Sequence, residues 1–379
     1  MSRVSAHFDS KLIMATLALL LIGLIMVCSA SITIAENKTG QPLYFFIRQA
    51  AFAMLGLFFA WCVISIRLSH WQQMAPMLLM VGVGLLVLVL IPGVGREVNG
   101  SSRWLPLGPV NLQVAELIKL FAIIYVADYL QRHHGQLNTS LLKVLSPLLL
   151  LSVAAVLLLM QPDMGSIVVI LSTVLVMMFL GGARLDVFIG LIGILAGLFA
   201  MMVWIPPYRL QRLQSFMDPW ADPFGSGFQL TQALIAFGRG DWLGVGLGSS
   251  MQKLFYLPEA HTDFLFSILA EELGLIGAVT VIGLFLVMIW RALAIGRAAE
   301  EAGQLFGAQI AYGISVWLGL QACVNIGVNM GVLPTKGLTL PLMSYGGSSL
   351  VIVCVAIGLL LRVDLETRQP EKASARVKR

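Results

Sequence analysis

The chain has 379 residues, of which 58% are hydrophobic and only 11% charged, with a formal net charge of +5. Soluble domains run nearer a quarter charged, and no polar stretch here is long enough for an independent soluble unit. A soluble enzyme and a nucleic-acid-binding module are therefore excluded. Long apolar stretches recur instead, each able to cross a hydrocarbon core of roughly 30 Å as a helix. The fold class expected is an all-α polytopic membrane protein.

The first apolar run, "LIMATLALLLIGLIMVCSASITIA" (12–35), exceeds a signal-peptide core and lacks a convincing small-residue cleavage site, so it reads as a retained first span. Further spans are expected at 49–66, 74–92, 112–130, 144–160, 166–182, 187–204, 264–290, 306–330 and 346–361, about ten transmembrane helices in all. The fifth and sixth are separated only by "QPDMGS" (161–166), and a re-entrant hairpin there would change the count. Residues 1–361 form one transmembrane domain in this reading, with a large outward-facing loop, 205–262, between spans seven and eight.

Lysine and arginine set the orientation. Arg3 and Lys11 precede the first span, Arg67 and His70 follow the second, Arg132 and Lys143 flank the loop after the fourth, Arg184 follows the sixth, and Arg291 and Arg297 follow the eighth. An even number of spans puts all of these, and both termini, in the cytoplasm. The basic tail 362–379 is expected to be disordered. Cys28, Cys62, Cys323 and Cys354 all fall within spans, which rules out a disulfide framework and a CxxC metal site.

The outer loop holds Arg209, Arg212, Arg239 and Lys253 among many aromatics, and "FGSGFQLTQALIAFG" (224–238) reads as a helix lying along the membrane interface. Two readings stay open: a merely tolerated long loop, or a surface for an anionic lipid or lipid-linked phosphate. The run "GRGDWLGVGLGSSMQK" (238–253) lacks the GK[ST] ending of a P-loop, so its glycines are expected to serve tight turns and close backbone approach.

Buried charge is more informative. The fourth span places Glu116 and Lys119 about a turn apart, on one helix face, either as a structural ion pair or as part of a site. Arg96, Arg103 and Trp104 lie just upstream; Asp163 sits in "QPDMGS"; Lys336 and the polar run Ser344–Ser349 precede the last span. Prolines and paired glycines at this depth imply irregular backbone lining a cavity. In "YLPEAHTDFLFSILAEELG" (256–274), Glu259, His261 and Asp263 stand at the mouth of the eighth span. Glu271 and Glu272 lie about two turns deeper, where structural pairing is favoured. Topology gathers these segments on the outer side, in one outward-facing polar cavity.

The segments "PGVGREVNGSSRWLPLGPVNLQVAELIKL", "QPDMGS", "KLFYLPEAHTDFLFSILAEELG" and "LPTKGLTLPLMSYGGSSL" resemble, in order and depth, the signature segments of the SEDS family, and "YLPEAHTDF" looks nearer its cell-division than its elongation branch. The resemblance implies a ten-helix polymerase of peptidoglycan glycan strands, working on lipid II at the outer face of the bacterial inner membrane and, in the division branch, at the septum. It implies an essential acid at Asp263, with Glu116 and Lys119 matching the family's charged pair. It implies a class B penicillin-binding protein as partner, together with small single-span division regulators. Some members carry Glu where this chain has Phe255, so a role for an acid there does not transfer.

Inverting attack of a sugar hydroxyl on a pyrophosphate-linked anomeric carbon needs one base and positive charge near the leaving group. Asp263 is the candidate base, and Glu116 with Lys119 would tune or position it. Arg96, Arg103, Arg209, Arg212, Lys253 and Lys336 form the pool of pyrophosphate ligands, with Glu259, His261 and Ser344 as further substrate contacts. A divalent cation, Mg or Mn, held by carboxylates and pyrophosphate would do similar work, although no dedicated cage is visible. A lipid-carrier flippase is the rival reading, since broken helices and buried charges also describe transporters. The gathering of motifs on one side favours the polymerase.

Overall fold

The computed structural model describes residues 8–98, 101–108, 110–204, 215–254, 256–334 and 337–368. Every expected span is a helix: α1 (Ser10–Thr39), α2 (Tyr44–Ser65), α3 (Leu68–Leu90), α4 (Val114–Arg132), α5 (Leu141–Met160), α6 (Met164–Leu180), α7 (Leu185–Trp204), then α8 (Phe228–Gly240), α9 (Leu265–Glu301), α10 (Leu305–Asn329) and α11 (Gly347–Thr367). Among the described residues seven helices, namely α1, α2, α3, α5, α9, α10 and α11, are long and apolar enough to cross a membrane. The α6 helix is apolar but shorter, and α4 carries Glu116, Lys119, Asp128 and Arg132. The chain is a multi-pass helical membrane protein.

Local chemistry explains the boundaries. Asp9 caps α1 by accepting from Leu12 N–H, and Gly40 ends that helix in the left-handed region at φ 69. Asp163 caps α6, its carboxylate accepting from Ser166 N at 3.2 Å and Ser166 Oγ at 2.8 Å, so "QPDMGS" is a sharp break between two helices.

Three expectations need correction. The fold is not wholly α-helical: residues 96–113 form a three-stranded antiparallel sheet in the order β1 (Arg96–Val98), β2 (Ser101–Leu107), β3 (Val110–Gln113). β2 and β3 pair Trp104 with Gln113 and Leu107 with Val110, turning through Gly108 at φ 67. Its physical reason is local: the backbone polar groups of a proline- and glycine-punctuated segment pair with one another instead of with water. Second, α11 continues past 361 to Thr367, so the start of the expected disordered tail is helical. Pairs four residues apart, Arg362–Glu366 at 2.6 Å and Arg368–Asp364 at 2.7 Å, support that extension; residues 369–379 lie outside the described residues. Third, α9 runs to Glu301 and is interrupted at Gly274, whose φ 68 and ψ −167 belong to a region essentially reserved for glycine.

That interruption is filled by the glycine-rich segment after α8. Val245 N and Gly246 N donate to the Glu271 and Glu272 carbonyls at 3.0 Å each, while Leu275 N and Ile276 N donate to the Asp241 and Trp242 carbonyls at 2.8 and 3.3 Å. A Cβ on Gly244 would lie 2.2 Å from the Glu272 carbonyl oxygen. The glycines of 238–253 thus serve close backbone approach, as their spacing suggests. The helix expected within 224–238 is α8, beginning at Phe228 rather than 224.

Polar contacts define the two ends of the bundle. At one end Arg291 of α9 bonds Asp9, Asp9 N donates to Asp364 of α11 at 3.0 Å, and Leu68 N at the start of α3 donates to Glu366 at 3.0 Å. The start of α4, the sheet and the segment before α11 meet at the opposite end, where Gln113 N donates to Ser348 Oγ at 3.2 Å. Between them run α4 and α10, with Ile118, Ile123, Ile124 and Trp317 buried.

Candidate active site

Asp263 occupies the last turn of loop before α9. The loop is folded on itself: Thr262 N and Phe264 N donate to the Glu259 carbonyl at 3.1 and 3.2 Å, and Thr262 Oγ1 donates to the exposed Glu259 carboxylate at 2.7 Å. It is also tied to the chain before α11, because Tyr345 N donates to the His261 carbonyl at 2.9 Å. The buried His261 ring packs against Phe45 and Tyr345, centroids 4.8 and 5.5 Å away. Burial drives its imidazole down to about 4, with Glu259 pulling upward and Lys38 adding to the fall. His261 is therefore neutral at physiological pH and supplies no cation.

The Asp263 side chain is half-buried, and among the described residues nothing hydrogen-bonds its carboxylate. Its Oδ2 would lie 3.2 Å from a Cβ at Gly337, so the missing side chain there leaves the carboxylate room. Burial pushes the Asp263 carboxyl up to about 7, Glu259 adds to the rise, and Arg103 opposes it. A carboxylate with such a proton affinity is suited to accepting a proton near neutral pH.

Arg103, on β2, is anchored by its donors: Nε to the Gln161 carbonyl at 2.9 Å and Nη2 to the Pro162 carbonyl at 2.8 Å. The α5–α6 break thereby holds the guanidinium where its field reaches Asp263. Arg96 is exposed on β1.

Glu116 and Lys119 form a buried pair, Nζ to Oε1 at 2.6 Å. Lys119 Nζ also donates to Gln321 Oε1 at 2.8 Å and lies 5.4 Å from the Trp317 ring centroid. Ser349 Oγ donates to Glu116 Oε2 at 3.2 Å, and Gln321 Nε2 donates to the Thr339 carbonyl at 3.0 Å. The pair is thus joined to the chain preceding α11, which also passes Asp263.

Other expected site residues are committed elsewhere. Lys253 is not free to meet a pyrophosphate: it is buried, with Nζ 2.8 Å from Glu272 and 3.0 Å from Ser29 Oγ. The neighbouring Glu271 is paired with Arg239 at 2.7 Å. Both acids are fully buried and paired, as expected of structural groups. Ser344 uses its Oγ to accept from Leu340 N at 3.0 Å and its carbonyl to accept from Gln49 Nε2 at 2.9 Å. Arg209, Arg212 and Lys336 lie outside the described residues, as does Phe255.

The sequence reading missed Gln321, Asn325 and Asn329. They stand four residues apart on one face of α10 and are all buried. Asn325 Nδ2 and Asn329 Nδ2 each donate to the Asp263 carbonyl at 2.9 Å. The detectable signal was their spacing: amides at i, i+4 and i+8 in an apolar span mark an inward face.

Comparison with known proteins identifies the family and the fold. The family model described as "Cell cycle protein", covering FtsW, RodA and SpoVE, matches residues 10–369. A curated relative from Nitrosococcus halophilus, "Probable peptidoglycan glycosyltransferase FtsW", is 58% identical over 98% of this chain and 95% of its own. Among solved structures, a chain from "Structural coordination of polymerization and crosslinking by a peptidoglycan synthase complex" is 32% identical at a TM-score of 0.77, covering 96% of this chain and 99% of that one. The rod shape determining protein RodA of Thermus thermophilus is 27% identical at a TM-score of 0.71, covering 98% and 99%. By sequence over nearly its whole length, and by the fold that carries the site, this chain belongs to the FtsW/RodA/SpoVE family.

Proposed function

We propose that the chain polymerises peptidoglycan glycan strands from lipid II at the outer face of the bacterial inner membrane, in septal wall synthesis. The observation that carries this reading is Asp263: a carboxylate with no hydrogen-bonding partner among the described residues, given room by Gly337, and raised to about 7 by burial. α4, α6 and α7 join the seven longer spans to make ten, with both termini cytoplasmic and 205–262 outside. The shared end of Asp9, Arg291 and Asp364 supports both termini lying on one side.

Asp263 takes the proton of the attacking sugar hydroxyl as that oxygen bonds to the anomeric carbon. The bond from that carbon to the pyrophosphate oxygen breaks, the α linkage becomes β, and polyprenyl pyrophosphate leaves. Proton transfer to a positioned base contributes about 10²–10⁴-fold. Arg103 supplies positive charge beside the site, and Arg96, Arg209, Arg212 and Lys336 remain candidates for the leaving group. Glu259 and His261 shape the wall around Asp263, and the Glu116–Lys119 pair braces the same wall from α4. Among the described residues no group of three or more His, Cys, Asp or Glu could hold a metal ion. A divalent cation bridging one or two carboxylates and the substrate pyrophosphate would not need such a group.

A class B penicillin-binding protein is the proposed partner, with small single-span division regulators beside it. The complex named for coordinating polymerization and crosslinking supports such a pairing. The test is the purified full chain with that transpeptidase, given lipid II. Glycan ladders from wild type and none from well-folded Asp263→Asn are expected. Transfer of lipid II across vesicles without polymer would replace this reading with the flippase.

A further inference from the structure

In a helix that included Asp263, the Asp263 carbonyl would accept from the Ser267 N–H, four residues on. Here Ser267 N turns to the Phe264 carbonyl at 3.1 Å, and a side chain stands between it and the Asp263 carbonyl. Asn329 Nδ2 donates to the Asp263 carbonyl at 2.9 Å, and Asn329 Oδ1 accepts from Ser267 N at 3.0 Å and Ser267 Oγ at 2.7 Å. A primary amide from α10 is thus spliced into the missing hydrogen bond, donating where the helix would donate and accepting where it would accept. Its second Nδ2 hydrogen goes to the Asn325 carbonyl at 2.9 Å, so every donor and both lone pairs are used. Asn325 Nδ2 donates to the same Asp263 carbonyl and to the Leu338 carbonyl at 2.6 Å, next to Gly337.

The splice has a geometric consequence. α9 starts at Leu265, and the residue before it, Phe264, sits at φ −109 and ψ 20 rather than in helical geometry. Asp263 stays outside the helix, with its carbonyl held by two amides and its carboxylate beside Gly337. Both asparagines and Ser267 are almost wholly buried, at 1%, 0% and 0% exposure, so these bonds are shielded from competing water.

We propose that Asn329, assisted by Asn325, is a positioning residue for catalysis: it stands in for the backbone bond between Ser267 and Asp263 and so keeps the Asp263 carboxylate beside Gly337. This rests on the reading of Asp263 as the base. Without the insert, the Ser267 N–H can move from the Phe264 carbonyl onto the Asp263 carbonyl, adding a residue to the helix and swinging the carboxylate away from Gly337. A bracket that merely glued α9 to α10 would affect stability and leave the chemical step alone.

The experiment compares wild type, Asp263→Asn, Asn329→Leu and Asn325→Leu, each as the full chain purified with its class B penicillin-binding protein and assayed on lipid II. Asn329→Leu keeps the side chain's size and removes the amide. The expected result is a kcat about 100-fold lower, the effect of a misplacement of about 1 Å, with KM for lipid II unchanged. Asn325→Leu leaves the insert in place but removes the bonds to the Asp263 and Leu338 carbonyls, so a kcat about tenfold lower at unchanged KM is expected. If Asn329→Leu does not accumulate, Asn325→Leu carries the test alone. A variant with wild-type kcat, or one whose only change is a higher KM, overturns the positioning role. Polymerisation by Asp263→Asn overturns the base assignment and the inference with it, which separates that failure from a failure of the asparagines alone.

Discussion

Asp263→Asn should stabilise the protein while abolishing polymerisation. The Asp263 carboxyl moves from an ordinary 3.8 to about 7, first through burial and then through Glu259, with Arg103 offsetting part of the rise. Between those two values the folded chain holds a proton that the unfolded chain has released. The slope of stability with pH is therefore negative: the site costs nothing below the unfolded value and progressively more as pH climbs to the folded one. Each tenfold change in proton affinity is worth about 1.36 kcal/mol, which brings the full cost to about 4 kcal/mol above pH 7. Partial solvent access screens the charge, and about 2–3 kcal/mol is the expected gain of Asp263→Asn at pH 8. At pH 5 little more than a third of that cost has accrued, so the gap should shrink to about 1 kcal/mol. Thermal unfolding of the detergent-solubilised proteins at the two pH values, followed by intrinsic fluorescence, measures the difference. An equal gap at both pH values, or a less stable Asn variant at pH 8, would refute the reasoning. The predicted trade is a base held ready at neutral pH at the expense of the fold.

Three further outcomes follow from the same contacts. The rate of glycan polymerisation should fall as pH drops through about 7, the value to which Asp263 is raised; Glu259→Gln should move that limb to lower pH and Arg103→Gln to higher pH, while an acid limb below 5 would exclude Asp263 as the titrating base. Lys119→Met strands the buried Glu116 and should cost about 3–5 kcal/mol in unfolding experiments, whereas the double variant Glu116→Gln with Lys119→Met should recover most of it; equal losses in both would show that the pair is not coupled. Gly274→Ala forces a side chain into a glycine-only conformation, with its Cβ 2.4 Å from Gly244 N, and should prevent accumulation of folded protein, as judged by size-exclusion chromatography; normal yield and melting would argue against the observed path of α9.

Much of the bundle was legible because apolar length is a local property. Each expected span has a helix over it, and Gly40 and Asp163 mark boundaries by chemistry that a reader of residue types can anticipate. Asp263 and the Glu116–Lys119 pair also stood out, since charge in an apolar setting is expensive and needs a reason. The small sheet was harder to see. Residues 96–113 contain strands of only three to seven residues, shorter than periodicity can resolve, and each is defined by its pairing with the next. Lys253 shows the converse error. Beside aromatics in an outer loop it resembled an anion ligand, yet the loop folds back and commits it to Glu272.

Residue order alone determined that this chain crosses a membrane repeatedly and that its polar motifs recur near the same ends of its helices, because hydrophobicity and charge act over a few residues. Which of those polar groups meet was decided only by tertiary packing. The amide ladder of α10 shows why: a donor on Asn329 acquires meaning from a carbonyl at Asp263 that lies 66 residues away along the chain and 2.9 Å away in space. Long-range hydrogen bonds of this kind depend on how the helices are arranged around one another, and no local pattern encodes that arrangement.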